Sequence, residues 1–569
     1  MINIKRISAI IAVIAILSLG AFALEGNGTK ETPYIVSSVE DLQEMALLSL
    51  DNTFDGKYFS QTADITVNDE TVIAGSDNVF TVNAAASVKL IFIGGNSAKP
   101  FMGNYDGNGY KISGLLLSPS EDNSGLFVYA EDAVISNLNI DRAIVKGGKA
   151  NGGIVGVADG NTTVSGCSFT GTLTASFSNQ LSSCIGGIAG KVCENAIIDS
   201  CTSNIYFPAA SNAPFAGYYG GIAGDNQGTI KKCESFGELV AVSDNYAIYL
   251  GGIAGSNEGE ILGSTNNAVL EGSIADDSAL LYVGGIAGIN SGGTIQRTVN
   301  TAEISATGYN QVPGYVGGIV GYNSDGTVEV SKNNGEVAGN INYAGGVSGV
   351  NLSEQGASSI KDCLNTGRVN VSSGIIGGIV GGNISNISPD ATSEVSSSMN
   401  LADSSYGNAA IGAVETENTG VSDINGLVVK NSRDDNAITM TVDELLAANS
   451  IPALKASAWV YPKNGYLPDL ITVKDLDKSE IVTMKIDKST NKATAALYST
   501  EPGKPAIAIV SFFAENRLIG TKFAPITLTE EYTVFTVESN LVSSAKTVNV
   551  MVLDSLSGLI PAAELASFK

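Results

Sequence analysis

YVGGIAGIN, residues 282–290, pairs two glycines with an isoleucine and a third glycine, and variants of it recur along the 569-residue chain. The copies read GGIVG at 152, 317 and 377, GGIAG at 186, 220, 251 and 284, and GGVSG at 345. Successive copies are about 33 residues apart, a period typical of repeat architectures, in which each unit buries its apolar face against the next.

Each repeat contains three short extended segments separated by Asn, Gly and Ser turns, as in residues 282–290, 294–302 and 303–308. None of them has helical spacing, and a unit of three strands cannot bury its own hydrophobic face. Coiling each repeat once and stacking it on the next would bury a continuous axial core. The sequence therefore predicts an all-β fold, a right-handed parallel β-helix or β-solenoid with coils of about 33 residues.

Asparagines recur at one position, six residues after the first glycine of the motif. They are Asn226, Asn257, Asn290, Asn323, Asn351 and Asn383. A second column contains Asn266, Asn300, Asn333, Asn365 and Asn400. Amide side chains stacked in successive coils can hydrogen-bond to one another, so we interpret both columns as structural ladders rather than ligand-binding residues.

Tyrosines form a column two residues before the glycine pair, namely Tyr218, Tyr249, Tyr282, Tyr315 and Tyr343. If strand alternation continues through the motif, Tyr282 and Ile286 share one face while Val283 and Ala287 share the other. Tyr and Ile columns in water would leave a long apolar stripe, so we expect them to point inward. An outward tyrosine row, which would form a strip for sugars or a protein partner, is the alternative.

Inward tyrosines would place small apolar columns on the outer surface. These residues are Leu250, Ala254, Val283, Ala287, Val316 and Val320. A sheet that is apolar on both faces usually has something covering it. This flank is therefore predicted to be an interaction site for another segment or a partner.

Charge and composition exclude several classes of function. The net charge of −26 disfavours nucleic acid and anionic membranes, and the absence of histidine excludes Ser-His-Asp and Cys-His mechanisms. Within the repeats, Arg142, Arg297 and Arg368 lie in different units, and acids such as Asp225 and Asp325 occupy scattered positions. We expect no enzyme and no cofactor, with calcium at acidic turns as the alternative.

Residues 1–23 have a basic start, an apolar run and Ala21-Phe22-Ala23 as a cleavage site, which is typical of a secretory signal. We therefore expect a secreted or cell-surface protein that is not integral to a membrane once the signal is removed. Of the six cysteines, Cys184 and Cys193 are the best candidates for a disulfide, but free thiols are favoured.

Five segments are expected along the chain. They are the signal peptide (1–23), an N-terminal cap with the first coils (24–123), the solenoid (124–430), a C-terminal cap (431–470) and an immunoglobulin-like β-sandwich (471–569). Packing helices are predicted at 37–50, with the capping box Ser37-x-x-Glu40, and at 441–459. The sandwich is predicted from alternating apolar runs separated by Pro, Gly and Asn turns.

The repeats resemble the GLUG-motif units of secreted and surface proteins of bacteria, in which a GG-I-A/V-G strand precedes a turn such as CLNTGRV (363–369). The C-terminal end resembles small accessory modules of secreted Gram-positive proteins. The resemblance implies an adhesin-like or structural binding protein that engages a glycan or an extracellular protein. A carbohydrate-active β-helix enzyme, and a spacer that presents the C-terminal module, are the alternatives.

Overall fold

A computed structural model describes most of the chain. The described residues are 24–118, 123–175, 182–208, 216–243, 246–275, 279–308, 314–385, 392–396, 398–400, 411–416, 421–425, 428–429, 438–439, 459–460, 469–470, 480–488, 491–498, 503–514, 517–528, 532–553 and 561–568. The predicted signal peptide and most of the predicted C-terminal cap, including all of its predicted helix except Trp459, lie outside these residues.

The repeats form a parallel β-solenoid, as the sequence predicts. Every coil of its central part contributes one strand to each of three sheets and up to two strands to a fourth. In the coil that begins at the opening motif, these strands are Leu281–Gly284 in sheet 1, Ala287–Ser291 in sheet 2, Thr294–Gln296 in sheet 3, and Val299–Asn300 with Ile304–Thr307 in sheet 4. The coil therefore has more strands than the three that the sequence pattern indicates.

Sheets 1 and 2 contain the two arms of the glycine motif. Sheet 1 consists of Asn123–Ser124, Ala150–Gly152, Ser182–Gly186, Ala216–Gly220, Ile248–Gly251, Leu281–Gly284, Gly314–Gly317, Tyr343–Gly345 and Ile375–Gly377. Sheet 2 consists of Phe127–Glu131, Val155–Asp159, Ala189–Val192, Ala223–Asn226, Ala254–Asn257, Ala287–Ser291, Val320–Ser324, Ser348–Ser353, Val380–Ser385 and Ile411–Thr416.

Sheets 3 and 4 complete each coil. Sheet 3 consists of Tyr34–Val36, Tyr58–Gln61, Asn104–Asp106, Val134–Ser136, Thr163–Ser165, Ile197–Asp199, Thr229–Lys231, Glu260–Leu262, Thr294–Gln296, Thr327–Glu329, Ala357–Lys361, Thr392–Ser396 and Val421–Asn425. Sheet 4 consists of Ile65–Thr66, Lys111–Ser113, Leu116–Leu117, Asn139–Gly147, Ser168–Ala175, Thr202–Phe207, Glu234–Ser243, Thr265–Asn266, Val269–Ile274, Val299–Asn300, Ile304–Thr307, Lys332–Asn333, Val337–Asn340, Leu364–Asn365, Val369–Val371, Met399–Asn400, Val428–Val429 and Ile438–Thr439.

Neighbouring coils pair in register, so that equivalent residues of the repeat face one another. Tyr249 pairs with Tyr282, and Tyr282 pairs with Tyr315, in a parallel ladder. Ile261 and Ile295 of sheet 3 follow the same rule and are fully buried. Small aliphatic columns of this kind fill the axial core, which accounts for the low aromatic content of the chain.

The glycines of the motif are explained by close packing at the corner between sheets 1 and 2. A Cβ atom on Gly288 would lie 2.7 Å from the backbone nitrogen of Leu250, in the preceding coil. A Cβ atom on Gly285 would lie 2.1 Å from the carbonyl oxygen of Gly318. Only glycine permits such approaches, so the motif is a packing device and has no need of a phosphate.

A helix and a hairpin accompany the N-terminal coils. The helix spans Val39–Leu48 and begins one residue later than predicted, because Ser38 is the N-cap and its hydroxyl accepts from the Asp41 amide. The hairpin Ile73–Ser76 and Val79–Val82 packs Phe80 against Ile144 on sheet 4.

The C-terminal part is a β-sandwich. One antiparallel sheet contains Glu480–Asp487, Lys492–Tyr498 and Tyr532–Glu538, and the other contains Pro505–Ala514, Arg517–Thr527, Thr547–Leu553 and Pro561–Phe568. Residues of both sheets, such as Leu497 and Phe512, share one buried core. A short 3-10 helix spans Val542–Ser544, and Trp459–Val460 pairs with Asp469–Leu470. The immunoglobulin-like assignment stays a prediction.

Both asparagine columns form hydrogen-bonded ladders inside the solenoid. In the first, each Nδ2 donates to the Oδ1 of the next coil, with 2.7 or 2.8 Å between the two atoms from Asn226 to Asn383. The second runs in the same way from Asn266 to Asn400, over 2.8 to 2.9 Å. All of these side chains are buried, so each amide depends on its neighbours for its hydrogen bonds.

The two ladders begin differently. The Ser235 hydroxyl donates to Oδ1 of Asn266 and so satisfies the first acceptor of the second ladder. In the first ladder, Oδ1 of Asn226 has no hydrogen-bond partner among the described residues, and the residue that pairs with Asn226 in the preceding coil is Val192. The first ladder therefore contains one buried acceptor without a donor.

Replacing one asparagine of a ladder should destabilise the solenoid strongly. In Asn290→Ala, Nδ2 of Asn257 loses one of its two acceptors and Oδ1 of Asn323 loses its donor while both stay buried, which should lower the free energy of unfolding by about 2–3 kcal/mol. Asn334→Ala, at an exposed position, should lower it by less than about 1 kcal/mol. Urea unfolding of the two variants measures the difference. Equal losses would contradict a stabilising role for the ladder.

A hydrogen-bond donor introduced beside Oδ1 of Asn226 should be tolerated in the core. Val192→Thr has nearly the shape of valine and offers a hydroxyl to Oδ1 of Asn226, whereas Val320→Thr buries a hydroxyl at another core position of the same sheet. We expect Val192→Thr to be the more stable variant by about 1–2 kcal/mol in urea unfolding. If Val192→Thr lowers the free energy of unfolding as much as Val320→Thr does, Oδ1 of Asn226 already has a hydrogen-bond donor.

Candidate functional site

The tyrosine column faces outward, which reverses the prediction. Val283 is fully buried, and Tyr282 on the neighbouring position of the strand is on the outer side of sheet 1. Ile286 is also buried, because the chain turns between Gly284 and Ala287 and the two strands belong to different sheets. Strand alternation therefore cannot be carried from Tyr282 across the glycines to Ile286.

The predicted interaction flank is consequently wrong. All six of its residues lie in the hydrophobic core with no exposed surface: Leu250, Ala254, Val283, Ala287, Val316 and Val320. Their small size suits the narrow interior beside the glycine corner. The outer surface that they were expected to form is occupied by the tyrosines instead.

The five tyrosines form one continuous stack along the solenoid axis. Successive ring centroids are 4.5, 4.8, 5.2 and 5.5 Å apart from Tyr218 to Tyr343, and the ring planes deviate by 4 to 19°. Tyr282 is 8% exposed and the other four are half-buried. The row is about 20 Å long when followed from ring to ring, because the backbone register repeats at every coil.

A second outward column, on sheet 2, lies beside this row. In-register pairing places Asp225, Ser256, Ile289, Tyr322, Val350 and Gly382 along it. The Tyr322 ring meets Tyr315 edge-on with centroids 4.8 Å apart, and a Cβ atom on Gly382 would lie 3.1 Å from the Tyr343 ring. We call the two columns together the tyrosine face.

Stacking determines which part of each ring a ligand can reach. The faces of the inner rings are covered by stacked neighbours, with centroids 4.8 and 5.2 Å from that of Tyr282, so the ring edges and hydroxyl groups remain for contact. Among the described residues, none hydrogen-bonds the hydroxyls of Tyr218, Tyr249, Tyr282 or Tyr315. The face therefore offers a regular row of phenol groups rather than flat aromatic platforms.

These phenols stay protonated well above neutral pH. Burial, followed by the neighbouring Tyr249, raises the pKa of Tyr218 from 10.0 to about 12. Burial, followed by Tyr343, raises the pKa of Tyr315 to about 12, and burial raises that of Tyr282 further. The tyrosine face is therefore a neutral surface that can donate hydrogen bonds.

Carboxylates accompany this neutral row. The negative charges of Asp225 and Glu258 are close enough to Tyr218 to raise its pKa. Glu354 has the same effect on the pKa values of Tyr282 and Tyr322. Glu258 and Glu354 are exposed. At the end of the row that begins with Tyr218, Lys191 forms an ion pair of 3.0 Å with Asp225.

The six cysteines are free thiols in the structure. Cys167, Cys201, Cys233 and Cys363 are buried at the inward column where other coils have Ser or Thr. Cys184 occupies the position of the tyrosine column one coil before Tyr218, and burial raises its pKa to about 12. A thiol of that kind is a poor nucleophile at neutral pH.

Clusters of metal-ligating side chains are absent from the part of the chain that the structure describes. No group of three or more Cys, Asp or Glu residues there could hold a metal ion. Within the same residues, no helix is long and apolar enough to cross a membrane. The absence of an enzyme and of a cofactor remains a prediction.

A second apolar surface lies on the outer side of the four-stranded sheet of the sandwich. Phe523, Ile509 and Met551 stand in one row across three strands. Phe523 is 59% exposed, while the inward residues of the same strands fill the sandwich core. Sequence reasoning missed this row and Tyr322, although the period-two pattern of residues 506–513 was a signal for the former.

Comparisons with known proteins show no family for this chain. No family model matches it, and no solved structure matches it. A segment of 182 residues, 32% of the chain, is 28% identical to "Halomucin" of Haloquadratum walsbyi (strain DSM 16790 / HBSQ001). The match spans 2% of the length of that relative. The resemblance to GLUG-motif proteins stays a prediction.

The raised pKa values of the tyrosines predict a loss of stability at alkaline pH. The folded chain holds these protons more tightly than the unfolded chain, so the stabilisation is complete below about pH 10 and is lost as the pH rises towards 12. Tyr218→Phe with Tyr315→Phe keeps the rings and removes both titrating groups. In urea unfolding between pH 9 and 12, the variant should lose less stability than the parent. If the variant and the parent lose stability identically with pH, Tyr218 and Tyr315 do not have raised pKa values.

Proposed function

We propose that this protein is a secreted or cell-surface binding protein, adhesin-like in character, which uses the β-solenoid as a rigid scaffold to engage a glycan or an extracellular protein. The tyrosine face is its binding surface. The observation that carries the proposal is the continuous row of five stacked tyrosines on the outer side of sheet 1. The protein acts without catalysis and without a cofactor.

The repeat architecture supports a binding role. A solenoid presents the same side chains at a fixed interval along an extended surface, which suits contact with long ligands or several neighbouring groups. Aromatic residues with a polar tip are enriched at protein interfaces. The scattered acids and the separated arginines of the repeats offer little support for a polysaccharide lyase or glycosidase, which needs convergent carboxylates.

A surface location is supported by two further features. The start of the chain has the pattern of a secretory signal, and the similarity to a protein named halomucin is consistent with a location at the cell surface. The high negative charge of the chain also favours solubility and disfavours nucleic acid as a partner.

The exposed row of Phe523, Ile509 and Met551 favours a second candidate function. In that case the solenoid would serve as a spacer, and the sandwich would bind the partner through the outer side of its four-stranded sheet. An exposed phenylalanine beside two half-buried apolar residues is typical of a contact surface.

A binding array distinguishes these candidates. The whole mature chain is applied to immobilised glycans and extracellular matrix proteins, beside a tyrosine-face variant (Tyr249→Ser with Tyr315→Ser) and a sandwich variant (Phe523→Ser). We expect saturable binding by the parent chain, a loss of at least about tenfold in affinity for the tyrosine-face variant, and no change for Phe523→Ser.

Thermal unfolding of each variant checks that it remains folded, and Tyr249→Phe with Tyr315→Phe serves as a control that retains the stack. Loss of binding confined to Phe523→Ser would establish the spacer function instead. Product released from a polysaccharide by the parent chain would overturn the non-catalytic proposal.

A further inference from the structure

The basic residues of the central solenoid are confined to two of its sides, whereas acids occur on those sides and on sheet 2 as well. From residue 192 to residue 385 the basic residues are Lys231, Lys232, Arg297, Lys332, Lys361 and Arg368. All of them lie on sheet 3, on sheet 4, or in the turns that adjoin those two sheets. Over the same range, no basic residue of the sequence falls in a described strand of sheet 1 or sheet 2.

The tyrosine face is bordered by acids and by none of these six basic residues. Asp225 lies in sheet 2, and Glu258, Asp325 and Glu354 each directly follow a sheet 2 strand. The strand Ala287–Ser291, between those of Glu258 and Asp325, is followed by a glycine instead. The four acids are the carboxylates within Coulombic range of the stacked tyrosines and of Tyr322. Lys191, the basic residue at the end of the row, is neutralised by Asp225 at 3.0 Å. The face is therefore neutral along its centre and negative along its border.

From this arrangement we infer that the partner of the tyrosine face is an extended, basic segment of polypeptide, rich in lysine or arginine. The inference rests on the proposed function and specifies its ligand. A row of about 20 Å accommodates roughly six residues of extended chain at about 3.3 Å per residue.

The chemistry of each surface element fits such a segment. The hydroxyl groups of Tyr218, Tyr249 and Tyr315 can donate to carbonyl oxygens of a peptide lying along the row. Lysine and arginine bury aliphatic stems on apolar surface, here Ile289 and the tyrosine edges, while their charged ends reach Glu258 and Glu354.

The stacked geometry disfavours a glycan at this site. A sugar that binds an aromatic residue packs against the face of the ring, and the inner faces of this row are covered by neighbouring tyrosines. Addition of a partner strand to the sheet is also disfavoured in the middle of the array, because sheet 1 strands such as Leu281–Gly284 are already paired on both sides. Contact must therefore be made through side chains.

Two matched pairs of substitutions test the inference. Glu258→Gln with Glu354→Gln removes two charges beside the tyrosine face, and Glu271→Gln with Glu303→Gln removes two exposed charges on the sheet 4 side. Both variants remove two negative charges from a chain whose net charge is −26. Nonspecific attraction of a basic peptide to the chain is therefore the same for the two variants. Glutamine retains the size of each side chain and one acceptor oxygen, and it removes the charge.

The measurement is fluorescence anisotropy with the whole chain and a labelled twelve-residue peptide of alternating Lys and Thr. We expect saturable binding that weakens with added salt, a loss of about fivefold or more in affinity for the Glu258/Glu354 variant, and a change of less than about twofold for the Glu271/Glu303 variant. The corresponding Glu–Thr peptide should not bind.

Equal losses for both variants, or no binding of the basic peptide, would overturn the inference. The proposed function is tested separately by the binding array. If the tyrosine-face variant loses binding to a glycan or matrix protein while the basic peptide does not bind, the function stands and the ligand class is wrong. If neither experiment shows binding at the tyrosine face, both are wrong.

Discussion

The in-register stacking of buried asparagine amides is the interaction on which the rest of the structure depends. Each amide donates to the next coil over 2.7 to 2.9 Å and is buried, so a coil that slips by one residue leaves two polar groups unpaired. Register is thereby fixed on two corners of every central coil. The same register sets the spacing of every other column of the solenoid, apolar or aromatic.

The tyrosine face follows from the same register. Once equivalent residues are aligned, a tyrosine at one outward position of sheet 1 must stack on the tyrosines above and below it. The glycine corner then brings sheet 2 close enough for Tyr322 to contact Tyr282 and Tyr315. In-register pairing of the coils thus produces the continuous tyrosine face. The carboxylates beside it give this face a negative border.

Much of the fold could be predicted from the sequence, because period, turn residues and column identity are local signals. The asparagine ladders and the buried position of Cys167, Cys201 and Cys233 were accessible from column alignment alone. The direction of Tyr282 was not, because the period-two rule fails wherever the chain turns, and the turn at Gly284–Ala287 is specified by packing against the neighbouring coil. The carboxylates beside the row, such as Glu354, are brought there by coils distant in sequence.

Hydrogen–deuterium exchange of the whole chain, with and without the basic peptide, tests the central claim most directly, since it locates the bound ligand without any substitution. The account predicts slowed exchange confined to the strands of sheets 1 and 2 from 216 to 353 and to the turns that follow sheet 2. Protection confined to 505–527 of the sandwich, or spread over sheets 3 and 4, would contradict it.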